Sequence, residues 1–145
     1  PTIKPKDIDK IISFHKKNLH FDLVIPHFEI NYKNNVNQVK IISDSKGKIL
    51  YLTRSTAPLN FFNKHIKQKK HLSVISFKKK ALINYSKFKQ GTLEKIEGIE
   101  LLRSLENNQK IGTFKINTEA LSMDVKSDIS LIKKFFKTDK ISKLY

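Results

Sequence analysis

The sequence predicts an α/β fold in which a mixed β-sheet is flanked by helices. Three observations lead there. Amphipathic stretches with helical spacing lie near both ends of the chain and at residues 92–111, short β-prone runs separate them, and two of those runs are joined by hairpin chemistry. Helices and strands that alternate, with some strands paired by a tight turn, give a sheet with both parallel and antiparallel neighbours. The 145 residues are enough for one domain with a real core, and residues 1–145 are read as a single domain.

Taken in order, Ile8, Ile11, Ile12 and His15 mark a first amphipathic helix, with Pro5 near its first turn, where a missing amide is harmless. Residues 21–30 form an apolar, β-prone run broken by Pro26. Residues 38–43 and 48–54 are two strands. Asp44, Ser45, Lys46 and Gly47 supply the turn between them, which predicts an antiparallel hairpin. Apolar residues on both faces of the second strand predict that it is central and covered on both sides. Residues 57–70 are irregular and basic, the best candidate for a mobile loop. A strand is expected at 71–77, then a short helix to about Tyr85.

Residues 92–111 hold two stripes. Leu93, Ile96, Ile99, Leu102 and Leu105 recur at three-residue steps, and Glu94, Glu97 and Glu100 recur at the same step beside them. One helix with an apolar edge and a row of carboxylates, closed by Arg103, is expected. A strand at 110–117 follows. Ser127 is placed to cap a last helix with Asp128 in its first turn, Lys133, Lys134 and Lys137 toward its end, and a core face of Ile129, Ile132, Phe135 and Phe136.

The net charge of +16 invites a nucleic-acid reading. Arginine, the residue suited to bidentate phosphate and base contacts, occurs only at Arg54 and Arg103, so lysine supplies 27 of the 29 basic residues. The lysines are scattered, and isoleucine and asparagine are abundant too, as an AT-rich coding sequence would give. A nucleic-acid partner is not expected. The absence of cysteine removes disulfides, zinc ribbons and thiol nucleophiles. No apolar run approaches membrane-spanning length and no secretory signal is visible, so no membrane partner is expected. Gly47, Gly91, Gly98 and Gly112 never cluster, so the chain builds no phosphate-cradling loop. Neither an HExxH nor a GxSxG pattern occurs.

Several segments in order resemble the sugar cytidylyltransferases, most closely the CMP-Kdo synthetases (3-deoxy-manno-octulosonate, or Kdo, cytidylyltransferases). Pro1-Thr2-Ile3-Lys4-Pro5 with Ile8 resembles the stretch that follows that family's metal-binding Gly-Asp pair. Asn37-Gln38-Val39-Lys40-Ile41-Ile42, then Asp44, Gly47 and Tyr51-Leu52-Thr53-Arg54-Ser55, resembles its N-x-V-K-V-V…D…G…L-Y-F-S-R-S segment. Lys70-His71-Leu72 through Phe77 is similar to its R-H-I-G-I-Y-A-Y strand, and the likeness runs on through Tyr85, Glu94, Glu97, Glu100, Arg103 and Lys110-Ile111. Residues 122–131 resemble its closing S-I-D-V-D-T-P-E-D-L motif in degraded form.

The resemblance implies the C-terminal part of a nucleotide-diphospho-sugar transferase fold, without the N-terminal nucleotide-binding half. Because numbering starts at Pro1, the chain reads as a processed product, a trimmed chain or a fragment. The implied reaction is attack of a sugar-acid hydroxyl on the α-phosphate of CTP, with pyrophosphate leaving and magnesium neutralising phosphate charge. The implied partners are CTP, a sugar acid such as Kdo, and a second copy of the chain in a homodimer. No catalytic residue is expected in this chain, which alone should release no pyrophosphate.

Substrate-binding candidates are His71, Glu100 and Arg54. His71 matches the family histidine that contacts the sugar acid, and a satisfied structural histidine is the alternative. Glu100 matches a sugar-contacting glutamate, with an i,i+3 pair to Arg103 as its alternative. Arg54 follows a strand and precedes a loop, with a structural ion pair as the preferred alternative. Glu94 and Glu97 are read as structural. For metal, Asp124 is the candidate, because Lys126 stands where the second metal-binding aspartate belongs and a protonated lysine cannot ligate magnesium. Ile75 stands in place of a sugar-contacting tyrosine, and Leu101 in place of a glutamine beside the glutamate. Two rival readings are a non-catalytic relative serving as an assembly or regulatory module and, less favoured, a basic nucleic-acid-binding domain.

Overall fold

A computed structural model describes residues 2–32, 35–59, 67–117 and 126–139. Helix α1 (Pro5–Lys17) starts with Pro5, carries Asp7 in its first turn and ends in His15, Lys16 and Lys17, so its charges oppose the helix dipole at both ends. Its inward face is narrower than the sequence predicts: Ile11 and His15 are buried, whereas Ile8 and Ile12 are exposed. His15 ties the helix down through Nε2 to the Phe21 carbonyl (3.2 Å) and Nδ1 to Ser76 Oγ (2.7 Å). A carbonyl can only accept, so Nε2 carries the hydrogen.

Pro26 divides the next run. Strand β1 (Leu23–Val24) belongs to one sheet and β2 (His27–Ile30) to another. The second sheet has the order β2-β5-β3-β4, with β3 (Lys40–Ser43), β4 (Ile49–Thr53) and β5 (Gln68–His71). The first has the order β6-β1-β7, with β6 (Ser76–Phe77) antiparallel and β7 (Ile111–Gly112) parallel to β1. One ribbon joins the two sheets. The Gly112 carbonyl accepts from Ile25 N–H, the Phe114 carbonyl accepts from His27 N–H, and the His27 carbonyl accepts from Ile116 N–H.

The β3–β4 hairpin forms as expected. Asp44 Oδ1 accepts the amides of Lys46 (2.9 Å) and Lys48 (2.8 Å), and Gly47 turns the chain at φ +80°. Gly47 is required twice over, because a Cβ there would lie 2.6 Å from the Thr113 carbonyl oxygen. Among the described residues, however, strand β4 is not central. It lies at the sheet edge, and Leu50 is 55% exposed while Ile49 and Leu52 face the core. The strand expected at 71–77 is two strands in different sheets, β5 and β6, which are parted by residues 72–75. Residues 60–66 of the expected loop lie outside the described residues.

Helix α2 (Lys79–Tyr85) follows β6. The long carboxylate helix is broken into α3 (Thr92–Glu97) and α4 (Leu102–Glu106). Gly98, at φ 62° and ψ 39°, ends α3 in the left-handed conformation, and its N–H returns to the Glu94 carbonyl. Ile99, Leu101 and Leu102 then turn inward to join Leu23, Ile41 and Leu52 in the main core. The last helix, α5 (Asp128–Thr138), has the expected polarity, but only Ile132 of its expected core face is buried. Ser127 sits at the cap position in a helical conformation, and its side chain does not cap.

Candidate functional site

The carboxylates at the α3–α4 corner divide into two kinds. Glu94 is 3% exposed and accepts two hydrogen bonds from Arg103, from Nε at 2.7 Å and Nη2 at 2.5 Å. The guanidinium holds the Glu94 carboxyl below the usual carboxylate range, and the same bonds push Arg103 up. Arg103 also lies over the Tyr85 ring, 5.2 Å from its centre. Glu97 accepts from the Thr53 hydroxyl (2.7 Å) and the Arg54 amide (2.8 Å). At the far end of α4, Glu106 Oε1 accepts the Leu93 amide (3.0 Å) and so caps α3. Gly91 is needed for this, since a Cβ there would sit 1.9 Å from Glu106 Oε2.

Glu100 differs. It is exposed, on the turn between α3 and α4, and no described residue hydrogen-bonds its carboxylate. Its backbone carbonyl accepts the Tyr85 hydroxyl (3.2 Å). The expected i,i+3 pair with Arg103 is replaced by the Arg103–Glu94 pair, because Gly98 breaks the helix that would have set Glu100 and Arg103 on one face.

Arg54 ends β4 and belongs to the same corner. Its Nε donates to the Glu97 carbonyl (3.0 Å), Nη1 to the Val36 carbonyl (3.1 Å) and Nη2 to the Gly98 carbonyl (3.2 Å). Carbonyls hold its guanidinium, while its amide, not its side chain, meets the Glu97 carboxylate. Behind it lies Lys40, which sequence reasoning did not single out as a site. Lys40 is 1% exposed and donates to the carbonyls of Asn35 and Arg54, both at 2.6 Å. Burial, then the charge of Arg54, lowers its pKa, and Glu97 opposes that shift. The available signal was a lone lysine at an inward position of an apolar strand.

His71 closes β5, and its amide donates to the Val39 carbonyl (3.1 Å). Directly across the ladder stands His27, which sequence reasoning also missed. His27 is 5% exposed, and its Nδ1 lies 2.7 Å from Thr113 Oγ1. Burial, followed by the positive charge of Lys69, lowers its pKa to about 4, so its imidazole is neutral at pH 7. Nearby, Lys69 donates to Ser43 Oγ (2.6 Å), and Lys115 pairs with Glu29 (2.7 Å). The structure therefore joins Arg54 and Glu100 at one corner. His71 lies on β5, separated from β4 by β3.

Residues 1–111 match a family model described as Cytidylyltransferase. The chain belongs to the cytidylyltransferase family. It is 35% identical over 144 residues to a 3-deoxy-manno-octulosonate cytidylyltransferase of Rickettsia bellii, covering 97% of this chain and 57% of that protein. The same-named protein of Rickettsia felis is 36% identical over 146 residues, covering 99% of this chain and 56% of its own length. A solved structure of CMP:2-keto-3-deoxy-manno-octonic acid synthetase complexed with CTP superposes with a TM-score of 0.84 at 19% identity, over 94% of this chain and 58% of that one. The α/β class and the family resemblance read from the sequence agree with these matches. The chain spans just over half the length of the curated relatives it matches. Those relatives carry an enzyme's name, which does not favour the two rival readings.

Within the cytidylyltransferase family, the chain's departures fall at particular places. Leu101 is 7% exposed and part of the main core, so it contributes packing rather than a polar group beside Glu100. Ile75 is partly exposed between β5 and β6. Asp124 lies outside the described residues. Lys126 is exposed in the turn before α5, where its carbonyl accepts the Ile129 amide. Among the described residues no three His, Cys, Asp or Glu side chains come together as a metal site. No helix among them is long and apolar enough to cross a membrane.

Proposed function

We propose that this chain is part of a cytidylyltransferase that joins the CMP of CTP to a sugar acid, 3-deoxy-manno-octulosonate or a near analogue, with release of pyrophosphate. On this reading the chain's share of the work is to hold the sugar acid. A sugar presents several hydroxyl donors, and an ionised carboxylate with open lone pairs is suited to receive them. Glu100 is an exposed carboxylate that no described residue hydrogen-bonds, and this is the observation that carries the proposal. His71 offers an imidazole from β5. Arg54, with its guanidinium committed to three carbonyls, keeps the Glu97–Gly98 turn in place and so fixes where Glu100 begins.

The same reading makes the whole protein a cytoplasmic homodimer that uses magnesium. The ion would supply charge neutralisation at the phosphates. The test is a titration of the ¹⁵N-labelled chain with 3-deoxy-manno-octulosonate. Amide shifts at Glu100, His71 and Tyr85 are expected, with about tenfold weaker binding in Glu100→Gln, as loss of a charge-assisted hydrogen bond gives. A sugar acid that perturbs none of the three would refute the reading.

A further inference from the structure

Beside His71 lies a polar face that the reading above does not use. His27 sends its amide to Phe114 and receives at its carbonyl from Ile116, while His71 sends its amide to Val39. Each backbone points away from the other, so His27 and His71 form the narrow, non-hydrogen-bonded type of antiparallel pair, with both imidazoles on the same face of the sheet. Two residues along, Glu29 is opposite Lys69 on that same face.

The charges on this face are unevenly matched. Glu29 is engaged with Lys115 at 2.7 Å. Lys69 has a hydroxyl partner, Ser43 Oγ at 2.6 Å, and no carboxylate partner among the described residues. An ammonium has three donors, so one hydroxyl leaves Lys69 with both capacity and charge to spare. His27 adds no charge, because burial and then the charge of Lys69 hold its imidazole neutral. A cation is disfavoured by two lysines and by the absence of a three-ligand cluster among the described residues. The face suits an anion, and one unmatched ammonium beside imidazoles suits a single carboxylate better than a triphosphate.

We propose that Lys69, next to the His27–His71 pair, receives the carboxylate of the sugar acid. The inference rests on the sugar-acid reading and adds to it the residue that selects an acid over a neutral sugar. The experiment titrates the labelled chain with 3-deoxy-manno-octulosonate and with its methyl ester, in wild type, Lys69→Met and Lys69→Arg. In wild type the acid binds about tenfold tighter than the ester, the margin of one charge-assisted hydrogen bond, and shifts the Lys69 amide. Lys69→Met brings the acid down to the ester's affinity, and Lys69→Arg keeps part of the preference. If Lys69→Met keeps the full preference while Glu100 and His71 still shift, the assignment of Lys69 falls and the sugar-acid reading stands. If neither compound perturbs His71 or Glu100, both fall. Should Lys69→Met lose its amide dispersion, Lys69→Gln is read in the same way, and an unshifted Lys69 amide in wild type overturns the proposal by itself.

Discussion

The α3–α4 corner and the β2–β5 face are both rich in charge, yet they spend it differently. At the corner, Glu94, Glu97, Arg54 and Arg103 each meet groups from the protein itself, so their charges are scaffold. Among the described residues, nothing hydrogen-bonds the Glu100 carboxylate on the same corner, and Lys69 on the strand face meets a hydroxyl but no carboxylate. Residue type alone does not separate these roles. The count of donors and acceptors already used does.

Breaking the scaffold should have the largest effect. Lys40→Ala removes the shared donor of two carbonyls and leaves a cavity, and is expected to cost about 3–5 kcal/mol, read as a fall in the denaturant midpoint. Gly47→Ala places a Cβ against the Thr113 carbonyl at a positive φ. A cost of about 2–3 kcal/mol in the same measurement is expected, together with disturbance of the His27–Thr113 contact seen in the imidazole resonances.

Acid should reach the two regions in sequence. The unfolded His27 imidazole takes up a proton as pH falls through about 6.5, whereas the folded one does so only near 4. The unfolded state thus binds more protons across that window. Stability contributed by neutral His27 is full above the window and declines as pH drops through it, by about 3 kcal/mol in all. Thermal melts of wild type and His27→Gln should diverge in their pH slope there. The Glu94–Arg103 pair holds until lower pH, because Glu94's carboxyl is depressed rather than raised. The smallest effect on stability belongs to Glu100→Gln, within about 0.5 kcal/mol, as for an exposed group whose carboxylate no described residue hydrogen-bonds.

Much of the frame was legible in the sequence because its signals are local. Pro5 and Ile11 with His15 define α1, and Asp44 to Gly47 defines the hairpin through side chain-to-backbone bonds within four residues. The 92–111 stripe misled for a geometric reason. Each three-residue step falls about 60° short of a full helical turn, so the four steps from Leu93 to Leu105 cannot keep to one face. The repeat is instead accommodated by breaking at Gly98, which sends Ile99 and Leu102 inward and leaves Ile96 exposed. The edge position of β4 was hidden because apolar residues on both faces look the same whether or not a second neighbour strand exists. His71 and Glu100 are candidates that family motifs single out. His27, Lys40 and Lys69 are not among them, because their significance lies in cross-strand register and in partners distant in sequence, such as Thr113 for His27.

The division between scaffold and ligand-binding carboxylates is tested most directly by Glu94→Gln, Glu97→Gln and Glu100→Gln, each measured for melting temperature and for binding of 3-deoxy-manno-octulosonate. The account predicts that the first two lower the melting temperature by about 4 °C or more, and that Glu100→Gln melts as wild type but binds about tenfold more weakly. A Glu100→Gln chain that melts early like the other two and binds the sugar acid as wild type does would contradict it.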